Sequence, residues 1–470
     1  MALKDKRKEL IEYIRNNSEY LKYNADAYDI LQGGLKKYVE EIMRSALSAE
    51  YFSKIQHRLI IVNILEKYIS KVSIAYDNPP TRTAALGQEQ YQEIIDYYVS
   101  TFNLNKKMGV ADSYSHLFKG FALEPYLDNE KPKLRVMPYD RFLPYSDNNF
   151  DPTSETVLIK LMGEVTKEVI GVKNQITQQK YKLYYTYSAE EFDAFTDDGE
   201  TYAPALADNE GINDFGVIPI TYGNRVENEL LPTQDTDILS MTKIMPVVLS
   251  DLSGAILFQC FSIIYGVDVD FENATISPNA LWSMKSDKST DKNPIIGILK
   301  PEADIEKVKE FILSVFILWL DTKGVRVGSV GAVNNANVAS GVSKVMDEMD
   351  VQSVVKKSID WFVQDEKEFW AKMIPIHNHW VDMQIVKGFS KLPEDLTVIV
   401  KFPEMVAVRS RKELIEEKKI EVDSGFKSRK KAMMELNPDM SEEDLATELE
   451  LIKLERSNTG QADQVVNGQI

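Results

Sequence analysis

Cysteine is nearly absent: Cys260 is the only one in 470 residues. A single thiol forms no intrachain disulfide and no cysteine-based metal cluster, and it fits a reducing compartment. Histidine is almost as scarce, with His57, His116, His377 and His379 the full set. His377 and His379 stand two residues apart with Asp382 near, but that spacing shares a face only in a strand and a third ligand is not evident. They read instead as surface histidines near a helix end. No Gly-Lys-Ser/Thr follows the glycines at 324, 328 and 331, so no phosphate-binding loop is present. No G-x-S-x-G elbow occurs. No carboxylate pair sits in the apolar setting that shifts a pKa for catalysis. The longest apolar run, Phe311 to Leu320, is half the ~20 residues of a membrane span. The opening residues, MALKDKRKELIEYIRNN, lack the apolar core of a signal peptide.

Basic excess is missing too. Lysine and arginine number 55 against 73 acidic residues, a formal charge of −18. Proteins that grip nucleic acid usually carry the opposite balance. The sign argues against tight, static DNA binding, and it also simply keeps a protein soluble. What is present is 44% hydrophobic and 10% aromatic residues, enough for packed domains, and a length that implies two or more of them.

The pattern is α+β. Apolar spacing predicts helices at 5–22, 53–75, about 88–104 and 106–119. Short strands follow: Gly120–Tyr126 and Lys133–Pro138 as a hairpin, then 156–164 and 180–188. Asn213 to Ile220 reads as a turn and an edge strand. Helices return at 233–265, with Thr233, Asp235 or Asp237 as N-cap, and at 302–321. In the second, Ile305, Val308, Phe311, Ile312, Val315, Phe316 and Trp319 form the apolar face. Residues 323–341 are loop-like, small and nearly uncharged, and a long helix spans about 341–372. A strand at 396–402 precedes a charged helical end at 408–457 and a polar tail.

The order of these segments over about 50–455 resembles the portal proteins of tailed bacteriophages, of the siphophage type. Six weak motifs carry the resemblance. They are NILEKYISKVSIAYDNPP (Asn63–Pro80), GFALEPYLDNEKPKLRVMPYDRFLPY (Gly120–Tyr145), NDFGVIP (Asn213–Pro219) running to Tyr222-Gly223-Asn224, the helix ending at Tyr265-Gly266, Asp304 to Trp319 with the loop and Ser340-Gly341-Val342, and the charged end. One departure stands out: the long helix opens Ser340-Gly341-Val342-Ser343-Lys344, where the family usually has Ala after the apolar residue.

The resemblance implies a helical and β-containing wing at 1–232, stem helices at 233–265 and 302–322, and a small α/β clip at 266–301. A tunnel loop would be 323–340, with the wing resuming at 341–405 through a long tunnel helix, a helical crown at 406–458 and a disordered tail at 459–470. It further implies a non-enzymatic ring, typically a dodecamer, at one capsid vertex. Through this ring double-stranded DNA is packaged and ejected without sequence preference. The partners implied are the terminase large subunit, scaffolding and major capsid proteins, and head–tail adaptors, with no cofactor, no metal and no membrane. The place implied is the virion, after assembly in the host cytoplasm. Lys323, Arg326, Asn334, Asn335 and Asn337 would touch DNA backbone weakly. Phe311, Phe316 and Trp319 would pack between subunits, and Lys285, Lys288 and Lys292 would face the motor or adaptor. An acidic channel wall suits sliding better than capture. The alternatives are a helical head–tail adaptor or other structural virion protein, and a carboxylate–metal hydrolase drawing on the abundant Asp and Glu.

Overall fold

A computed structural model describes residues 2–148, 150–170, 176–206, 211–226, 229–260, 263–267, 295–299, 304–325, 341–403, 411–437, 445 and 447–451. The chain divides into two compact units: residues 1–334 with 350–403, and 335–349 with 404–470.

The larger unit begins with α1 (Leu3–Asn16) and α2 (Ser18–Asp29). A π-helical turn with Gly33 at φ +98° leads into α3 (Leu35–Ala46). The helix expected over 53–75 is broken in two. α4 (Ala49–Ile55) ends in a short 3-10 turn, residues 59–63 run extended, and α5 (Ile64–Val72) starts afresh with Asn63 as its cap. The run Ile60-Ile61-Val62 accounts for the break, since β-branched side chains are stiff in a helix and Asn63 offers its Oδ1 to the amide of Glu66 instead. β1 (Thr81–Ala84), α6 (Gln92–Thr101) and α7 (Leu104–Phe118) follow.

Next come β2 (Gly120–Asp128), β3 (Lys131–Met137), β4 (Phe142–Tyr145), β5 (Val157–Ile170), β6 (Ile176–Tyr187), β7 (Phe192–Thr196), the single turn α8 (Ala203–Leu206) and β8 (Thr221–Asn224). β8 begins just after the segment expected as an edge strand, which is turn and bend. Two antiparallel sheets result, ordered β3-β2-β8 and β4-β5-β6-β7. β5 and β6 are longer than expected. β4 pairs only with residues 157–160 and β7 only with 183–187, so the outer parts of β5 and β6 continue as a two-stranded ribbon. Gly163, at φ +113°, sits at the bulge where the ribbon departs.

α9 (Thr236–Cys260), β9 (Ile263–Val267), β10 (Ile295–Leu299) and α10 (Ile305–Thr322) form the next segment, β9 pairing antiparallel with β10. Residues 263–265, expected at the end of the helix, belong to β9. α11 (Gly341–Asp382) has 42 residues, ten beyond its expected end, with Pro375 inside it. β11 (Val398–Lys401) returns to pair with β1. The smaller unit contains α12 (Arg411–Asp423) and α13 (Arg429–Leu436), joined by Lys418 and Lys427 bridging Glu421 and Glu435.

Two cores hold the larger unit. The smaller packs Leu10, Ile11 and Ile14 of α1 on Leu143, Val157, Ile159 and Phe195 of the four-stranded sheet. Arg7 seals it: buried, it grips both carboxylate oxygens of Asp193 at 2.6 Å. The main core gathers α5, α6, α7 and the three-stranded sheet around α11, through Tyr98, Phe121, Phe142, Phe362, Phe369 and Trp380.

Consecutive acids on α11 each hold one arginine. Glu366 pairs with Arg82 of β1 at 2.7 Å and accepts from Tyr76 Oη at 2.8 Å, while Arg82 also donates to Asn105 Oδ1 at 2.6 Å. Asp365 accepts from Arg225 Nη1 at 2.7 Å, and that guanidinium lies 4.4 Å from the ring centre of Phe362. Burial pushes the Asp365 carboxyl up to about 6 against the pull of Arg225. Gly223 is needed beside this pair, because a Cβ there would lie 2.8 Å from an Asp365 oxygen.

His377 is fully buried, contrary to its expected surface position. Its Nδ1 accepts from Tyr98 Oη at 2.8 Å and its Nε2 donates to the Ser390 carbonyl at 2.9 Å, which fills both ring nitrogens. Burial lowers its pKa, so the neutral ring is favoured.

Glu366→Ala leaves Arg82 buried without its counter-ion. The expected loss is ~3–5 kcal/mol of unfolding free energy by urea denaturation. A loss near that of a surface substitution, within ~0.5 kcal/mol, would remove this network from the stabilising contacts.

Candidate functional site: the paired apolar helices

Among the described helices α9 and α10 are the most apolar, and contacts are seen at each end of the segment they form. At the distal end β9 pairs with β10. At the root, Lys323 just past α10 reaches the start of α9. Its Nζ lies 2.7 Å from Asp235 Oδ1 and 2.6 Å from Asp237 Oδ1, and Lys119 adds a second cation 3.3 Å from Asp235. The lysine side chain is only 12% exposed. The two carboxylates occupy the entry and first turn of α9, where the helix dipole favours negative charge. Burial raises Asp235, but hydrogen bonds from Asp237 and Lys323 and the charges of Lys119 and Lys323 outweigh it and hold that carboxyl down at about 2. Asp237 moves the other way, raised by burial and by its neighbour Asp235.

α10 carries apolar residues on two faces. Ile312, Trp319 and Leu320 point inward. Trp319 is 6% exposed, stacks on Phe316 at 5.9 Å and tilts against Tyr68 of α5 at 5.7 Å. Together with Met245 and Leu249 of α9, these rings line an apolar cleft of about 310 Å³. The outward face is open. Val308, Phe311, Val315 and Leu318 are 41%, 67%, 37% and 65% exposed, at spacings of three, four and three residues. That is the spacing of a helix seam that meets another helix.

Of the residues expected to pack between subunits, then, Phe311 is available to a neighbour, Phe316 is half-buried and Trp319 is covered by its own chain. Leu318 was missed: the expected face included Val308, Phe311 and Val315, and one more step of the same spacing reaches it. Lys323, expected to face DNA, is drawn into the charged root. Arg326, Asn334, Asn335 and Asn337, and Lys285, Lys288 and Lys292, lie outside the described residues.

Among the described residues no group of three or more His, Cys, Asp or Glu side chains is placed to hold a metal ion. By length and composition Thr236–Ile256 of α9 could cross a membrane, with mean hydropathy 1.2. However, Ile238, Leu239, Thr242 and Met245 of that stretch are buried within the chain, and Lys243 pairs with Asp26 at 3.3 Å. The sequence-based expectation of no membrane span rested on the run Phe311 to Leu320 and did not weigh α9, whose first half is partly packed within the chain. No protein-family model matches the chain, and no curated protein matches it.

Lys323→Ala leaves Asp235 without its nearest cation. We expect a loss of ~1–2 kcal/mol of stability at neutral pH, limited by water reaching Asp237. The Asp235 carboxyl is held below the ordinary 3.8 in the folded chain, so this stabilisation is present above that value and lost as pH falls toward about 2. The gap between variant and parent in urea titrations should close over the same interval. A gap independent of pH would assign the loss to packing.

Proposed function

We propose that the chain is a portal ring subunit of a tailed bacteriophage, a structural conduit for double-stranded DNA rather than an enzyme. The observation that carries this reading is the exposed seam Val308–Phe311–Val315–Leu318 on one of two paired helices. Solvated side chains of this size in one row are unfavourable on a lone chain. A copy of the same helix pair packed alongside in a ring would cover them. The element order supports it as well: apolar helix, antiparallel strand pair, apolar helix, then a 42-residue helix and a separate helical unit. The excess of negative charge is compatible with a wall past which DNA slides.

In this reading α9 and α10 are the stem, the segment around β9 and β10 is the clip that docks the terminase large subunit and later the head–tail adaptors, and the stretch before α11 faces DNA. Scaffolding and major capsid proteins contact the ring from outside. Nucleotide hydrolysis belongs to the motor and not to this chain. The ring sits at one vertex of the virion after assembly in the bacterial cytoplasm.

Electron microscopy of the purified chain, viewed end-on, tests this directly. Closed rings with a central opening that admits duplex DNA are expected, and their count gives the subunit number. Compact monomers or dimers at high concentration, without rings even beside scaffolding protein, would overturn the portal reading in favour of a helical adaptor. Within a ring, Phe311→Ser with Leu318→Ser removes ~3–6 kcal/mol of apolar burial per interface. Rings should then dissociate at concentrations where the parent stays assembled, with helix content by circular dichroism unchanged. Rings of unaltered stability would rule out the seam as the contact.

A further inference from the structure

A second cavity lies away from the paired helices, where α2, α7, β3 and the start of β5 meet. Its volume is about 300 Å³, at the small end of ligand pockets. Tyr28 and Tyr114 form one wall, set edge to face at 6.1 Å. Val136, Met137, Leu161 and Met162 add apolar lining. Three cationic residues line the rest: Arg135, Arg141 and Lys160.

Their partners do not balance them. Glu124, side chain 8% exposed, serves two of the three. It pairs directly with Lys160, and it accepts from Arg135 Nη1 at 3.2 Å across the β2–β3 register. Lys160 is equally buried, and desolvation lowers its pKa despite Glu124. Among the described residues the Arg141 side chain pairs with its neighbour Asp140, at 3.3 Å. Burial raises that carboxyl to about 6 against the charge of Arg141. Three cations against two carboxylates leave at least one positive charge beside an aromatic wall. A guanidinium has five N–H donors, and among the described residues Arg135 and Arg141 each use their donors on one carboxylate. The side chains of Arg135 and Arg141 are 42% and 54% exposed, so both are open to solvent.

We propose that this cavity binds a small oxyanion, phosphate or carboxylate, borne on an aromatic or apolar body. The anion takes the free donors of Arg135 and Arg141, and the body lies against Tyr28, Tyr114 and Met162. The carboxylates of Glu124 and Asp140 set a limit on affinity, because they repel a dianion that approaches too closely. This site is independent of the ring reading and stands or falls separately.

Isothermal titration of the full chain with phenyl phosphate, benzoate and benzyl alcohol tests it. The two anions should bind saturably and the alcohol should not. Whichever anion binds more tightly identifies the source as phosphate or carboxylate. Arg141→Gln should weaken the anion about tenfold or more, with the folded state at the titration temperature checked by an unchanged circular dichroism spectrum. Tyr114→Leu should weaken phenyl phosphate more than it weakens inorganic phosphate, a split that general loss of charge would not produce. Absence of saturable binding below about 10 mM, equal binding of the alcohol, or unchanged affinity in Arg141→Gln would each overturn the proposal.

Discussion

Asp365 and Glu366 are neighbours in sequence, yet on a helix their side chains leave the axis about 100° apart. Each therefore reaches a different layer. Glu366 meets Arg82 on the β1–β11 pair, and Asp365 meets Arg225 at the end of β8. The side chains of both pairs are 9% exposed or less, so neither charge can revert to water without its partner. α11 is thereby pinned to two separate sheets at one level. The packing of Phe121, Phe362 and Phe369 around it needs that level to be held, and Gly223 is there because the pinning leaves no room for a Cβ.

Much of this organisation was legible in the sequence as periodicity. The existence of the helices at α6, α7, α9, α10 and α11 and of the strands β2, β3, β5, β6 and β11 follows from spacing and β-branched content. Their ends did not. Helix 53–75 was split because three β-branched residues and an asparagine cap competed locally with a long-range helical pattern, and the window used for periodicity averages over such a site. α9 stopped short because Ile263 to Val267 prefer a strand once a partner strand from residue 295 is supplied, and no local window contains that partner.

Side-chain roles were less legible still. Trp319 and Phe311 are both apolar residues of one helix, and spacing alone put them on one face. Tyr68, more than two hundred residues earlier, decides that Trp319 turns inward. His377 was read as a surface residue because its partners, Tyr98 and the Ser390 carbonyl, are brought to it only by the fold. Lys323 read as a free cation for the same reason. Asp235 and Asp237 were visible as helix-start residues, but their bond to a lysine 88 and 86 positions later was not. In each case the missing information was a contact distant in sequence, not a preference of the residue.

The closure of α9 and α10 at both ends has a mechanical meaning. A helix of 25 residues is about 37 Å long. Standing free, such a rod would pivot at its base. Tied to its companion by a strand pair at the tip and by Lys323 between two carboxylates at the root, it forms a strut. The root also meets α2, where Tyr23 donates to the Asp235 carbonyl at 2.7 Å. The charge that secures the root can be released by acid, whereas the hydrogen-bonded strands at the tip cannot, so the two fastenings of the strut fail under different conditions.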